Sequence, residues 1–177
     1  MKKLLAFALA ICMLFSLTGC SFMTDLSDSV NNIIPDEKTF EFEGVSIKLN
    51  TDFLRMEFVD EDYDFIVGDG DVTVMGQKVP LEELELELGD IDAKRYAELC
   101  LESLAVNYEC SELSEHKNIP YFEYVTGYED DEKQINLTAF YEMSDAFLIM
   151  VFAFSDNDAE KLRPISLSYA ETVSCAG

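Results

Sequence analysis

Four aspartates in the first half of the chain have a spacing that could bind a metal ion. Asp60, Asp62 and Asp64 stand at alternate positions, and Asp71 follows a Gly-Asp-Gly segment. Carboxylates at the first, third and fifth positions of a loop are the ligand spacing of an EF-hand calcium site. That site needs glycine at its sixth position and glutamate at its twelfth, where this chain has Phe65 and Asp71. A solvated, charged strand edge is the favoured interpretation, and calcium binding is the alternative.

A second acidic group, the glutamates at positions 82, 83, 85 and 87, could in principle supply acid–base catalysis. Such catalysis needs two carboxyl groups in different environments, one of them desolvated. These glutamates instead share one flank of a segment whose leucines, at 84, 86 and 88, point the other way. A solvated face is the favoured interpretation here as well.

Nucleophilic and metal-assisted chemistry find little support in the rest of the sequence. His116 is the single histidine, and its surroundings are typical of a half-exposed strand that runs into a turn. The chain has no Gly-x-Ser-x-Gly elbow, no Cys-x-x-Cys pair and no glycine-rich phosphate loop. We therefore expect no catalytic residues and no cofactor.

Residues 1–20 have the pattern of a bacterial export signal. Two lysines precede a 14-residue apolar segment at 4–17, which is shorter than the roughly 20 residues that span a membrane. The next residues, Leu-Thr-Gly-Cys, resemble the lipobox of bacterial lipoproteins. The resemblance implies cleavage of residues 1–19 and a diacylglyceryl group on Cys20, whose two chains suffice for stable anchoring. An ordinary secretory signal with a chance cysteine is the alternative.

The remaining chain divides into two parts. Residues 20–38 are polar with scattered apolar positions, and we interpret them as a lipidated N-terminus and tether with a reach of roughly 23 Å. Docking of Ile33 and Ile34 on the domain is the alternative. Residues 39–177 are predicted to form a single acidic domain, as their length suggests.

The charge of the chain excludes one class of partner. Thirty-six acidic side chains against 12 basic ones give a formal net charge of -24. Such a surface repels phosphate backbones, so we expect no nucleic-acid binding. Cleavage before Cys20 would also remove Lys2 and Lys3, which makes the mature chain more acidic still.

Three cysteines, Cys100, Cys110 and Cys175, lie within the predicted domain. We favour free thiols, because a buried thiol behaves as a small hydrophobic group. A bridge between Cys100 and Cys110 is the alternative, and it would contribute about 2 to 3 kcal/mol.

Hydrophobic periodicity predicts an α+β domain. Alternating patterns indicate two hairpins, a short strand and three further strands. Asp90 or Asp92 is predicted to cap a helix that ends near Asn107, and nearly continuous apolar sequence at 147–154 indicates a strand buried on both faces. A capping box then begins a helix that Pro164 divides from a last helix. The predicted strands are 39–50 (a hairpin), 63–67 with 72–77, 84–88, 109–116, 120–128, 134–143 and 147–154. Before 84–88, Pro80-Leu-Glu-Glu could open a helical turn.

This order of elements resembles the PsbP-like α/β/α sandwich. The pattern Phe-x-x-x-Gly-Val-Ser-Ile-x-Leu at 40–49 precedes one central helix and a strand meander, and Ala-Glu-Lys-Leu-Arg-Pro at 159–164 marks the C-terminal helices. The resemblance, over 39–174, implies an antiparallel sheet of six or more strands with helices on both faces. A cystatin-like or other curved-sheet domain is the alternative.

The family resemblances together imply a non-catalytic accessory or binding module, anchored on the extracytoplasmic side of a bacterial membrane. Its partner would be an unidentified protein or small ligand. A calcium-binding protein that uses the acidic 60–71 stretch is the alternative, followed by an unrecognised exported enzyme.

Overall fold

A computed structural model of the protein describes residues 37–56, 63–82, 84, 91–127 and 133–175. The strands are β1 (Glu37–Phe42), β2 (Val45–Asn50), β3 (Leu54–Arg55), β4 (Phe65–Gly68), β5 (Val72–Pro80), β6 (Glu109–Cys110), β7 (Ser114–His116), β8 (Ile119–Thr126), β9 (Gln134–Glu142), β10 (Ala146–Ser155) and β11 (Ser174–Cys175). The helices are α1 (Ala93–Leu104) and α2 (Ala159–Ala170), and a short 3-10 helix, Asp156–Asp158, leads into α2.

Within the described residues, eight strands form a central antiparallel sheet in the order β3-β4-β5-β10-β9-β8-β6, and β7 also pairs with β8. The prediction of an antiparallel sheet of six or more strands is therefore confirmed. Strand β10 lies in the middle and is buried at every residue except Ser155. Its apolar sequence is explained by the layers that cover both of its faces, as predicted.

One face of the sheet, which we call the hairpin face, is covered by α2 together with a three-stranded sheet of order β1-β2-β11. The turn between β1 and β2 places Glu43 and Gly44 at φ 41° and 81°, as a two-residue type I′ hairpin requires. The Phe42 ring stacks on Phe65 at 4.5 Å and lies against Gly76, where a β-carbon would come within 2.7 Å of it. Glycine at 76 thus makes room for the hairpin.

The end of α2 and the residues after it are hydrogen-bonded to β2 of the smaller sheet. The Thr172 hydroxyl accepts a hydrogen bond from the Lys48 amide and donates one to the Lys48 carbonyl, each at 3.0 Å. The Asn50 amide group donates to the Tyr169 hydroxyl at 3.1 Å. Strand β2 is therefore held to the helix by its backbone as well as by its apolar side chains.

The opposite face, which we call the α1 face, is covered by α1. Asp92 caps the helix by accepting from the Arg95 amide at 2.7 Å, which confirms one of the two predicted caps. The Tyr96 ring stacks on Phe147 at 4.8 Å. Ala93 and Ala97 are also buried, and their small side chains let the helix approach the sheet.

Three expectations about individual elements need correction. The strand predicted over 109–116 is split into β6 and β7 by residues 111–113. The strand predicted over 84–88 is wrong at Leu84, which is helical like residues 81 and 82, where a helical turn was the alternative; residues 85–88 lie outside the described residues. The two C-terminal helices are one continuous helix, α2, because Pro164 is exposed and the Glu160 carbonyl that loses its partner can bond to water.

Candidate functional site

The α1 face contains buried polar side chains among its apolar ones. On β9, Asn136 and Thr138 point toward α1 and are 0% and 4% exposed. The Asn136 amide nitrogen donates to the Thr126 hydroxyl at 3.0 Å and to the Tyr124 carbonyl at 3.4 Å. Its Oδ1 has no hydrogen-bond partner among the described residues. A buried acceptor without a partner costs about 1 to 3 kcal/mol. The hairpin face has a comparable oxygen, Ser166 Oγ of α2, which is buried and has no hydrogen-bond partner among the described residues.

A cavity of about 20 Å³ lies between α1 and the sheet on this face. Its lining surface is almost entirely apolar, although Gln77, Cys100 and Thr138 are among the residues around it. Such a volume accommodates about one water molecule, whereas small-molecule sites usually have about 300 to 1,000 Å³. The cavity as it stands is therefore too small for a substrate.

The cysteine beside this cavity is unsuited to nucleophilic chemistry. Burial raises the pKa of the Cys100 thiol to about 12, although a hydrogen bond with Tyr96 opposes the shift. Burial also raises the pKa of the Tyr96 hydroxyl. Both groups stay protonated at neutral pH, so neither acts as a nucleophile or base there. Cys100, Cys110 and Cys175 form no disulfide among the described residues, as the favoured prediction expected.

Strand β3 exposes two large apolar side chains at the edge of the central sheet. Leu54 is 65% exposed and Met56, directly after the strand, is 41% exposed. Leu54 pairs with Gly68 of β4, and Gly68 pairs with Thr73 of β5. Thr73 in turn pairs with Ala153 of β10, whose side chain lies on the α1 face. Paired residues share a face, so both side chains lie on the α1 side. We call Leu54 and Met56 the β3 patch.

The described acidic candidates are placed apart. Asp64 precedes β4 and its carboxylate accepts from the Lys78 amide at 2.7 Å. Asp71 lies in the turn at the other end of the β4–β5 hairpin, 3.7 Å from the Lys161 ammonium group. At about 3.3 Å per strand residue the two are roughly 15 Å apart, too far to bind one ion. Asp60 and Asp62 lie outside the described residues, so calcium binding stays a prediction.

His116 has a structural partner that the sequence did not indicate. Its Nε2 lies 2.7 Å from Glu171 Oε1, and the Lys117 ammonium group contacts the other carboxylate oxygen. Hydrogen bonds from Lys117 and then from His116 lower the pKa of Glu171. Lys117 and Asn118 have φ 49° and 67°, which turns the β7–β8 hairpin toward the end of α2. Because Glu171 is distant in the sequence, no local pattern could have found this contact.

Two predicted features lie mainly beyond the described part of the chain. Cys20 falls outside it, and so do three of the four glutamates proposed as a solvated face. Glu82 is the one that is described, and it is exposed as expected. Within the ranges that the structure describes, neither helix has the length and apolar character that would let it cross a membrane.

No family model and no curated protein matches the chain. Three solved structures are similar to it. Cyanobacterial PsbP (CyanoP) from Synechocystis sp. PCC 6803 gives a TM-score of 0.53 at 9% identity, over 85% of this chain and 98% of that one. LpqN of Mycobacterium tuberculosis, involved in cell envelope biogenesis, has a TM-score of 0.48 at 10% identity, over 80% of this chain and 91% of that one. PA94 of Pseudomonas aeruginosa, a putative regulator of unknown function, has a TM-score of 0.45 at 10% identity, over 77% of this chain and 94% of that one.

The similarity to cyanobacterial PsbP establishes the class of fold. The chain is an α+β protein with a PsbP-like fold, in which an antiparallel sheet has a helix on each face. At 9% identity the likeness extends to the fold and not to function.

Proposed function

We propose that the protein is a bacterial lipoprotein that acts as a non-catalytic accessory or binding module on the extracytoplasmic side of the membrane. The observation that carries this proposal is the N-terminal sequence. Two lysines are followed by an apolar segment and then by Leu-Thr-Gly-Cys, whose cysteine is Cys20. A diacylglyceryl group on this cysteine would hold the domain at the membrane.

The start of β1 supports a domain held close to the bilayer. Residues 21–36 separate Cys20 from Glu37, the first residue of β1. If this segment is a flexible coil, its root-mean-square reach is roughly 22 Å. The domain would then act on molecules in or immediately beside the membrane.

The properties of the α1 face favour a binding role over catalysis. The Cys100 thiol and the Tyr96 hydroxyl there have raised pKa values, and the cavity beside them has room for about one water molecule. His116 lies away from this face, where it contacts Glu171 at the end of α2. The β3 patch, in contrast, offers apolar contact area at the surface.

The test is the chemical state and location of Cys20. The full-length chain is expressed in a bacterial host, membranes are separated from soluble material, and the N-terminal peptide is examined by mass spectrometry. We expect a mature chain that starts at Cys20 with a diacylglyceryl mass. Cys20→Ser should be absent from the membrane in this form, whereas Cys100→Ser, the matched control, should fractionate like wild type. A mature N-terminus elsewhere, or an unmodified Cys20, would contradict the anchor.

A further inference from the structure

The β3 patch is an ordered apolar surface that α1 leaves uncovered. The Met56 amide donates to the Ile66 carbonyl at 3.1 Å, which continues the pairing of β3 with β4. Gly68, the cross-strand partner of Leu54, has no side chain, so Leu54 and Met56 border a shallow recess. Helix α1 packs over β8 and β9, whereas β3 lies at the other end of the strand order. An apolar segment that covered the recess would remove this surface from water.

The tether contains an apolar stripe with the period of a helix. Its apolar residues recur every three or four positions, and at about 100° per residue they fall within an arc of about 120°. Ser21, before the stripe, is a favoured N-cap residue, and Pro35, after it, marks a helix end. The pattern at 22–34 is therefore typical of an amphipathic helix. The apolar residues are Phe22, Met23, Leu26, Val30, Ile33 and Ile34.

A helix at 22–34 would need an apolar surface to pack on. Isolated helices shorter than about 12 to 15 residues are marginal in water even when they are rich in alanine, and segment 22–34 is no longer than that. It also contains asparagine, serine and β-branched residues, whose helix propensity is low. The two apolar surfaces near this segment are the bilayer and the domain.

The charge of the segment favours the domain over the bilayer. Helices that lie on a membrane surface are usually rich in lysine and arginine on their polar face. Residues 21–36 contain Asp25, Asp28 and Asp36 but no lysine, arginine or histidine. Anionic headgroups would repel these aspartates, whereas a helix docked on the domain would turn Asp25 and Asp28 toward water.

The segment is attached within reach of the β3 patch. Glu37, the first residue of β1, pairs with Asn50, and paired strand residues are about 5 Å apart. The Phe53 amide donates to the Asn50 carbonyl, which closes a turn whose ends lie within about 7 Å. Leu54 is one residue further, so it lies within about 16 Å of Glu37. Ile33, four residues before Glu37, reaches about 14 Å, and the side chains can close the remaining gap.

We propose that segment 22–34 docks on the β3 patch as an amphipathic helix, with its apolar stripe against Leu54 and Met56. This inference rests on the proposed function, because it takes residues 20–36 to be part of the mature chain. Covalent attachment gives the segment an effective concentration on the order of millimolar at the patch, so a weak contact suffices. Since only Ser21 separates Phe22 from Cys20, the docked helix would hold the β3 edge of the domain toward the bilayer.

The experiment places a photoreactive benzoylphenylalanine at position 54 of the full-length chain in its host cells. Position 106 is the matched control, since Val106 is 78% exposed and precedes β6 at the opposite edge of the sheet. After illumination, the chain is purified and its cross-linked peptides are identified by mass spectrometry. We expect an adduct within one chain that joins position 54 to residues 22–34, and no such adduct from position 106.

A pair of substitutions in the tether tests whether the apolar stripe makes the contact. Ile33→Asp places a charge in the stripe, where docking would bury it, so the adduct yield should fall about tenfold. Asn32→Asp is the matched control, because it adds the same charge to the adjacent residue on the polar side of the helix. Its adduct yield should equal that of the chain without it.

Several results would overturn the docking proposal. They are an adduct from position 54 with lipid, with another protein or with a second copy, the absence of any adduct, equal adducts from both positions, or an adduct yield that Ile33→Asp leaves unchanged. The intact mass of the same purified chain reports the state of Cys20. An unmodified Cys20 would therefore contradict the anchor while leaving the adduct to be read, and a lipidated chain without the adduct would contradict docking alone.

Discussion

On the hairpin face of the central sheet, β9 contributes Ile135, Leu137 and Ala139. On the α1 face the alternate residues of the same strand are Asn136, Thr138 and Phe140. The hairpin face is closed by a helix and a second sheet, and its core is apolar along β9 and β10. The α1 face has a helix, an acceptor without a hydrogen-bond partner among the described residues and a small cavity.

Both faces are buried and both hold the fold, but the α1 face includes polar side chains where the hairpin face is apolar along β9. Each face also has one buried side-chain oxygen without a hydrogen-bond partner among the described residues, Asn136 Oδ1 on the α1 face and Ser166 Oγ of α2 on the hairpin face. We therefore expect a polar side chain placed in β9 to cost more stability on the hairpin face than on the α1 face, where Asn136 already finds hydrogen-bond partners.

The largest effect should follow Phe42→Ala on the hairpin face. The ring is 9% exposed, stacks on Phe65 and fills the space left by Gly76. Its removal leaves a cavity between the two sheets, so we expect a loss of about 3 to 5 kcal/mol in the free energy of unfolding. Urea unfolding followed by circular dichroism measures it. A loss below about 1 kcal/mol would show that the hairpin contributes little to the core.

Gly76→Ala should have the next largest effect. A β-carbon there would lie 2.7 Å from the Phe42 ring and 3.0 Å from the Met150 sulfur. Overpacking of this kind costs about 1 to 3 kcal/mol. Gly68→Ala is the matched control in the same hairpin, because its β-carbon would meet the Met56 sulfur at an ordinary 3.4 Å. Equal stabilities of the two variants in thermal unfolding would contradict the described packing.

A smaller, pH-dependent effect should come from the cluster that ties the β7–β8 hairpin to α2. The pKa of Glu171 is lowered in the folded state by hydrogen bonds from Lys117 and His116. As the pH falls, the unfolded chain therefore takes up this proton first. The contribution to stability is complete above the unfolded pKa of about 4.3 and is lost as the pH falls through the folded value.

Glu171→Gln should reduce the dependence of the free energy of unfolding on pH in this acidic range. Urea unfolding between pH 3 and 7 compares the variant with wild type, and Glu160→Gln in the first turn of α2 is the control. The effect should shrink in high salt, because the Lys117 side chain is largely exposed. Parallel curves for wild type and Glu171→Gln would show that the cluster does not contribute to stability.

Most of the secondary structure could be predicted from local patterns. Alternation found the 39–50 hairpin, the apolar run found β10, and Asp92 marked the start of α1. The separate three-stranded sheet could not be predicted, since alternation shows which side chains are buried and not which layer covers them. The continuity of α2 through Pro164 depends on that residue facing water, which is a property of the fold.

The features of the α1 side were harder to predict than the fold. Asn136 and Thr138 alternate with apolar residues, a pattern typical of a solvent-facing side, and only the packing of α1 buries them. Leu54 and Met56 alternate with the charged Arg55 and Glu57, a pattern typical of a strand with one buried face, so the sequence does not indicate that they are exposed. Their exposure follows from the position of β3 at the sheet edge.

The most direct test of the central claim is a pair of substitutions one residue apart in β9. Leu137→Asn places a polar group in the apolar hairpin face, and Asn136→Leu removes the unpaired acceptor from the α1 face. Urea unfolding should show a loss of more than about 3 kcal/mol for Leu137→Asn. Asn136→Leu removes the unpaired acceptor but also the hydrogen bonds that the amide donates to Thr126 and Tyr124, so it should cost less than about 2 kcal/mol. Comparable losses for both variants would contradict the claim that the two faces differ in their tolerance of polar side chains.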